Sequence, residues 1–302
     1  WKKLKEYANN RGIQLIGDLP FYVALDSVDV WANRELFLLE EDGTPKGVAG
    51  SPPDAFSENG QKWGSPVYNW SRMEEDGFAW WQARMLEHAK LFDVIRLDHF
   101  AAIVKYYVVP NKAEDGRSGK WSRGPGKKLT DAIEKVIGDT HIIVEDIAGK
   151  SPIPGVKKLM ARTGWPGIKI LMFAFGDDTA NEHLPHNYTD CNLVVYAGTH
   201  DNETIVGYFR DKTDYELAYL YEYLNIENKS QVPNALIREL YHSTAELAIV
   251  QMQDILELGN EARMNYPSTV GHNWRWRMTS KPHRLDNEKI AWIRNIAVVY
   301  RR

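Results

Sequence analysis

The chain has 302 residues, 43% of them hydrophobic, and a formal net charge of −4 at pH 7. A chain of this length can bury a large core, and its slightly acidic balance disfavours nucleic acids and anionic membranes as partners. No apolar stretch approaches the roughly 20 residues of a membrane-spanning helix. The single cysteine, Cys191, excludes an internal disulfide and favours a reducing, cytoplasmic location.

Predicted helices and strands alternate along the chain. The pattern predicts a helix over 1–11, a strand over 13–19, and a long irregular segment over 26–72 of the kind that is usually functional. A second, glycine-rich loop is predicted over 113–127. Acidic residues in the first turn of a helix over 74–91 suit its dipole. Further helices are predicted over 130–138, 155–162, up to about 209, over most of 214–258 and over 287–301, and further strands at 92–98, 104–109, 141–145, 168–175 and 192–199. The alternation favours an α/β fold with a parallel sheet.

Four apolar runs each end in a carboxylate, at Asp18, Asp98, Glu145 and Asp201. Short apolar runs rich in β-branched residues are typical of strands that are buried on both faces. Enzymes built as (β/α) barrels carry their active-site residues at the C-terminal ends of parallel strands. The pattern therefore predicts a rim of acids with acid/base or nucleophilic carboxylate chemistry.

The segment RLDHF places Arg96, Asp98 and His99 at the end of a predicted strand. Residues two apart on a strand point to the same side, so the guanidinium of Arg96 favours the ionised form of Asp98. An ionised carboxylate is what a nucleophile requires. The alternative is an ordinary ion pair at the mouth of a barrel.

Two further segments carry candidate site residues. Glu145 follows an apolar strand, where an apolar environment raises the pKa of a carboxyl so that it can donate a proton; the alternative is a structural glutamate that caps a loop. In GTHDNET, three polar side chains of different kinds, His200, Asp201 and Asn202, follow one another. The alternative there is a helix cap with Asp201 or Asn202 as the N-cap residue.

Aromatic residues are frequent in the segments predicted to be loops. They are Trp63, Tyr68, Trp70, Trp121 and Trp165. Because a sugar ring has an apolar face and a rim of hydroxyls, Trp and Tyr side chains suit it, and at least one of these residues is a candidate sugar platform. The segment GRSGKWS lacks the spacing of a phosphate-binding loop, and His183 and His186 lack companion ligands for zinc.

Taken together, several motifs resemble the amylomaltases, the 4-α-glucanotransferases of the α-amylase superfamily, over nearly the whole chain. The resemblance is carried by GDLPFYVALDSVDVW, GSPPDAFSENGQKWGSPVYNW, RLDHF, EDI, PGIKILMFAF, THDNET and ARMNYPST…NWRWR. It implies a (β/α)8 TIM barrel with inserted subdomains, maltodextrin substrates, and no requirement for a metal or a cofactor.

The resemblance also assigns roles to individual residues. It implies that Asp98 is the nucleophile, Glu145 the general acid/base and Asp201 the transition-state stabiliser. The substrate-binding residues that it implies are Arg96, His99, His200, Asn202, Asp18, Asn265 and, in a lid over the acceptor side, Asp54, Phe56 and Trp63.

The resemblance further implies that residues 1–302 are the C-terminal portion of one (β/α)8 catalytic domain whose first strands lie outside this chain. Long inserted substrate loops are expected near 26–72 and 110–128. The chain departs from the family pattern at a few positions, namely Ala101 and Ala102 (usually Arg-Gly), Ala148 (usually Gly), Glu203 (usually Asp) and Ser268 (usually Gly).

The expected reaction is retaining transfer of an α-1,4-glucan through a covalent intermediate on Asp98. Two carboxyls about 5 Å apart, on opposite sides of the glycosidic bond, are the requirement for retention. Two alternatives stay open from the sequence: a retaining α-glucan hydrolase with the same acids, and an inactive glucan-binding fragment.

Overall fold

The computed structural model describes residues 1–53, 57–147, 153–176, 178–267, 269–278 and 287–302. The chain divides into two units, Trp1–Gly167 and Ile168–Arg302. The expectations for Asp54, Phe56, Ala148 and Ser268 lie outside the described residues.

The first unit holds a parallel sheet and an antiparallel sheet. Its helices are α1 (Lys2–Asn9), α2 (Val28–Ala32), α3 (Trp70–Glu75), α4 (Ala79–Leu91), α5 (Lys127–Ile137) and α6 (Val156–Thr163). Its strands are β1 (Ile16–Leu19), β2 (Gly47–Ser51), β3 (Gln61–Pro66), β4 (Val94–Leu97), β5 (Lys105–Pro110), β6 (Lys120–Arg123) and β7 (His141–Val144).

The parallel sheet has the order β1-β4-β7, and it carries the predicted carboxylates. In the register of the sheet, Asp18 lies opposite Arg96, and Leu97 lies opposite Val144. All four residues of β4 are buried, as the apolar run predicts for a strand that is covered on both faces. Asp98 and Glu145 are therefore the first residues after two neighbouring strands, at the same edge.

The prediction of an irregular segment over 26–72 was wrong. Strands β2 and β3 from this segment join β5 and β6 in an antiparallel sheet with the order β3-β2-β5-β6. These strands lack the alternation of apolar and polar residues that predicts a strand, because glycines occupy some of their positions. The glycines are needed where two strand backbones pack closely. At Gly50, for example, a Cβ atom would lie 2.1 Å from the carbonyl oxygen of Gln61 on the paired strand.

The predicted helix over 74–91 is two helices. The chain turns at Phe78, which has a left-handed backbone with φ +63° and a side chain that is buried in the core. Asp76 is the C-cap residue of α3, and its carboxylate accepts a hydrogen bond at 3.1 Å from the backbone N–H of Ala79, the first residue of α4. Glu74 and Glu75 consequently end α3 and do not begin α4, so the predicted acidic first turn was wrong.

The second unit contains strands β8 (Gly167–Ile170, which starts at the boundary), β9 (Leu193–Tyr196) and β10 (Leu247–Ile249) in the order β10-β9-β8. Its helices are α7 (Ile205–Arg210), α8 (Asp214–Leu224), α9 (Val232–His242), α10 (Met252–Ile255) and α11 (Asn287–Tyr300). β9 and β10 pair in parallel. β10 interrupts a stretch that was predicted to be helical, and β8 gives way to a 3₁₀ turn from Leu171 although a strand to 175 was predicted.

The predicted α/β class is confirmed by both units, each of which combines helices with a three-stranded sheet that contains parallel pairs. Closure of the strands into a (β/α)8 barrel stays a prediction. None of the helices in the described ranges combines the length and the apolar character that a membrane crossing needs.

Candidate active site

Arg96 binds two carboxylates on the rim of the parallel sheet. Its side chain is buried within β4, and its Nη1 donates hydrogen bonds to Oδ1 of Asp18 at 2.6 Å and to Oδ1 of Asp98 at 2.8 Å. Desolvation disfavours the charged guanidinium, but Asp18 and Asp98 outweigh it and raise the pKa of Arg96. Asp18 is the third residue of β1, inside the strand predicted over 13–19, and the strand register places it opposite Arg96.

Glu145, which follows the neighbouring strand β7, has a raised pKa. Its Oε2 accepts a hydrogen bond from the backbone N–H of His99 at 3.0 Å, and its Oε1 accepts one from Ile147 at 2.9 Å. Desolvation, followed by the negative charge of Asp98, raises the pKa of Glu145 to about 8 against the opposing effect of Arg96. The predicted direction of the pKa shift is confirmed, and Glu145 holds a proton at neutral pH.

A left-handed turn at His99 joins the two acids. His99 has φ +47°, a conformation that a residue with a Cβ atom adopts at a cost of about 1–2 kcal/mol. This conformation points the N–H of His99 at Glu145, and the N–H of Phe100 donates to the carbonyl oxygen of Glu145 at 2.9 Å. Desolvation lowers the pKa of His99 although Asp98 opposes it, so the imidazole is neutral.

Asp98 and Glu145 occupy equivalent places on neighbouring strands. Each follows one member of the register pair Leu97 and Val144. Neighbouring strands lie about 4.8 Å apart, so the two side chains start from adjacent backbone positions, as the separation of about 5 Å between the carboxyls of retaining glycosidases requires. The effect of Asp98 on the pKa of Glu145 agrees with this closeness.

Aromatic rings stand next to the acids. Trp63, which belongs to β3 and not to a loop, meets His99 edge to face with ring centroids 5.0 Å apart. Tyr22 lies 6.2 Å from Trp63 and 6.3 Å from His99 by the same measure. Its hydroxyl is buried and has no hydrogen-bonding partner in the part of the chain that the structure describes. The sequence analysis missed Tyr22, although an aromatic pair directly after a strand that carries Asp18 was a usable signal.

The other aromatic residues that were candidate sugar platforms pack against other side chains of the first unit. Tyr68 is 1% exposed and donates from its hydroxyl to the carbonyl oxygen of Phe21 at 2.6 Å. Trp70 and Trp165 pack against the core of the first unit. Trp121 lies on β6 with its ring 5.2 Å from that of Tyr107. Tyr68 therefore lies in the core although it belongs to the connection between β3 and α3. The prediction of a loop was wrong for Trp70, which begins α3, and for Trp121, which lies on β6.

Asp201 lies in the second unit, beyond the end of β9, with its predicted neighbours around it. The side-chain amide of Asn265 donates to Oδ1 of Asp201 at 2.6 Å, and Nε2 of His200 lies 3.4 Å from Oδ2. Arg263 donates from Nη2 to the backbone oxygen of Asp201 at 2.6 Å. The structure thus brings together Asp201, His200 and Asn265, and it adds Arg263, which the sequence analysis left without a role.

Asn202 shapes the turn that carries Asp201. Its Oδ1 accepts hydrogen bonds from the backbone N–H and the hydroxyl of Thr199, at 2.8 and 2.9 Å. The N-cap of α7 is Thr204, whose hydroxyl accepts from Gly207, so the alternative interpretation of Asp201 or Asn202 as the N-cap was wrong.

Within the described ranges, no group of three or more His, Cys, Asp and Glu side chains is arranged to hold a metal ion. His183 instead has a place in the fold, because its Nδ1 accepts from the backbone N–H of Ile170 at 3.1 Å. Desolvation and the charge of Lys169 lower the pKa of His183 to about 4.

Comparison with known proteins decides the family. Residues 1–282 match the family of 4-alpha-glucanotransferases. The chain belongs to this family. It is 43% identical over 280 residues to the 4-alpha-glucanotransferase of Streptococcus pneumoniae serotype 4, covering 92% of this chain and 55% of that protein. It is 45% identical over 280 residues to the chloroplastic/amyloplastic 4-alpha-glucanotransferase of Solanum tuberosum, covering 93% and 48%.

Comparison with solved structures supports the same family as comparison of the sequences. The amylomaltase from Streptococcus agalactiae in complex with acarbose superposes with a TM-score of 0.93 at 40% identity, covering 100% of this chain and 60% of that chain. The resemblance to the amylomaltases that the motifs predicted is confirmed. The chain spans about half the length of the curated relatives that it matches.

Proposed function

We propose that this protein is a 4-α-glucanotransferase that transfers α-1,4-glucan segments with retention of configuration. The observation that carries the proposal is the pair of unlike acids at the ends of β4 and β7. Asp98 is hydrogen-bonded to the buried guanidinium of Arg96, whereas the raised pKa of Glu145 keeps that carboxyl protonated. A nucleophile needs a positioned carboxylate, and a general acid needs a proton to give.

The reaction then proceeds in two displacements. The carboxylate of Asp98 attacks the anomeric carbon, the glycosidic bond breaks, and Glu145 gives its proton to the departing 4-oxygen. In the second step, Glu145 takes the proton of the 4-hydroxyl of an acceptor glucan, and this oxygen displaces Asp98 from the anomeric carbon. The configuration is inverted twice and is therefore retained.

We base the substrate class and the role of Asp201 on the family. The resemblance assigns to Asp201 the contact with ring hydroxyls that strengthens as the sugar distorts towards the transition state. Arg96, Asp18, His99, His200, Asn202 and Asn265 are the proposed further substrate-side residues among those described. Because acarbose is bound in the S. agalactiae amylomaltase, we expect it to bind this protein as well.

Preference for a sugar acceptor over water needs cover on the acceptor side. Trp63, against His99 and Tyr22, is the proposed cover, and its side chain remains 37% exposed and so can meet a sugar ring. Incubation with maltotriose tests the function: glucose plus a ladder of longer maltodextrins supports transfer. Glucose and maltose alone would favour the hydrolase, and no turnover would favour a glucan-binding fragment.

A pair of substitutions tests the role of the cover. Trp63→Ala is expected to raise the proportion of hydrolysis products because water then competes with the acceptor. Trp1→Ala is the matched control, since Trp1 is 56% exposed and lies outside the proposed substrate segments. Equal product ratios in the two variants would speak against Trp63 as the acceptor cover.

We further propose that residues 1–302 belong to one (β/α)8 catalytic domain, with inserted substrate segments near 26–72 and 110–128. The parallel pairing of β1, β4 and β7 supports this proposal. A cytoplasmic location is also proposed, and the one cysteine, Cys191, which is free and exposed, is compatible with it. Fractionation of the producing cell tests the location.

A further inference from the structure

Residues 254–265 hold the segment that carries Asp201 at four points. Asn265 donates to the Asp201 carboxylate and Arg263 to the Asp201 backbone oxygen, both at 2.6 Å. The other two contacts are a hydrogen bond from Asn260 to Glu203 at 2.5 Å and one from the N–H of Ile205 to Asp254 at 2.7 Å. The backbone around Asp201 is thereby fixed from one side.

Among these residues, Arg263 binds both Asp201 and Asn265, the two residues whose side chains are hydrogen-bonded to each other. Its Nη2 reaches the backbone oxygen of Asp201, and its Nε donates to the backbone oxygen of Asn265 at 2.8 Å. The guanidinium also lies over the ring of Tyr266, 4.4 Å from its centroid. The side chain therefore sets the distance between the acid and the amide that donates to it.

We propose that Arg263 is a positioning residue that acts through Asp201, an inference that rests on the proposed function. The planar fork of arginine binds two oxygens in fixed directions, and the stacked ring holds its plane. Lysine offers a point charge and cannot hold both carbonyls in this geometry. If Asp201 grips the sugar in the transition state, a small displacement of its carboxylate costs turnover and not substrate binding.

The hydrogen bonds made by Asn260 and Asp254 do not depend on Arg263, so the role of Arg263 can be tested in a folded variant. The amide of Asn260 fills the space above Gly207, where a Cβ atom would lie 1.9 Å from its Oδ1, and it holds Glu203 from there. Asp254 holds the first residue of α7. Neither contact involves Arg263, so an Arg263→Lys variant directly changes only the contacts of residue 263 with Asp201, Asn265 and Tyr266.

The test is a double-substitution cycle on glucan transfer from maltotriose. Arg263→Lys is expected to lower kcat about tenfold or more with KM changed less than about threefold. In an Asp201→Asn background the same change is expected to lower kcat no further, because the residue through which it acts is already disabled. Arg238→Lys is the control, since Arg238 is exposed on α9, and melting temperatures accompany every variant.

Equal losses of kcat in both backgrounds, or a kcat that does not change on Arg263→Lys, would overturn the inference. If the parent protein transfers no glucan, the proposed function fails, and a crystal structure of Arg263→Lys decides the inference separately. Loss of the hydrogen bond between Asn265 and Asp201 would support the positioning role. Retention of that bond at its present length would contradict it.

Discussion

Removal of the charge on Asp98 is expected to lower the pKa of Glu145. In the structure, Asp98 is the largest influence after desolvation that holds this pKa at about 8. Asp98→Asn keeps an oxygen that accepts the hydrogen bond from Arg96, so the local fold is preserved. The substitution removes the negative charge that opposes ionisation of Glu145. The positive charge of Arg96, which favours ionisation, remains.

The size of the effect is worked for the separation of about 5 Å that a retaining pair of carboxyls requires. Two unit charges about 5 Å apart at an effective dielectric constant of about 20 interact by roughly 3 kcal/mol, which is about a hundredfold change in an acid dissociation constant. Arg96 offsets part of this interaction in the parent protein. We therefore expect the dissociation constant of Glu145 to rise ten- to a hundredfold on Asp98→Asn.

The assay is a titration of ¹³C-labelled glutamate carboxyls by NMR, with the Glu145 signal assigned from Glu145→Gln. Asp18→Asn is the matched control, because it removes a charge from the other partner of Arg96, two strands away from Glu145. Doubling the separation halves the Coulomb energy, so the control is expected to give less than half of the change in free energy. An unchanged titration of Glu145 in Asp98→Asn would refute the electrostatic coupling of the two acids.

Three further outcomes follow from the structure. Because the proton on Glu145 is needed and its pKa is raised to about 8, kcat/KM from a pH profile is expected to fall above about pH 8; a profile that falls above pH 5 would contradict this. Desolvation raises the pKa of Asp254 to about 6, so the folded state binds more protons than the unfolded state between about pH 4 and 6, and stability is lost as pH rises through that window. Urea unfolding at pH 4 and 7 measures this loss, and Asp254→Asn is expected to make it about 2 kcal/mol smaller than in the parent protein. Gly50→Ala, whose Cβ would meet Gln61, is expected to cost about 1–3 kcal/mol in urea unfolding. The Cβ of Gly176→Ala would meet no atom of the described residues within 4 Å, and this variant is expected to cost less than about 1 kcal/mol; equal losses would contradict the packing argument.

Much of the candidate site could be predicted because its residues follow buried parallel strands. A short apolar run determines both the strand and the place where it ends, and so Asp98 and Glu145 were found from the pattern alone. The spacing of Arg96 and Asp98 likewise predicted their contact, because alternate strand residues share a face. The pairing of Arg96 with Asp18 depends on the register between two strands distant in sequence, which no local pattern reveals.

The missed features depend on contacts between segments that are far apart. The antiparallel sheet forms from stretches in which glycines replace alternating apolar residues, and it exists only because β2 pairs with β5. The break between α3 and α4 requires a left-handed Phe78, a conformation that is unusual for a bulky residue and that its buried ring offsets. Arg263 was present in a recognised motif, but its role follows from a hydrogen bond to Asp201, 62 residues away.

The most direct test of the proposed chemistry is mass spectrometry of the protein after incubation with a fluorinated α-glucosyl fluoride that slows the second displacement. The account predicts one covalent glycosyl adduct on the peptide that contains Asp98, and its absence from Asp98→Asn. An adduct on a different residue, or turnover that inverts the anomeric configuration and leaves the protein unmodified, would contradict it.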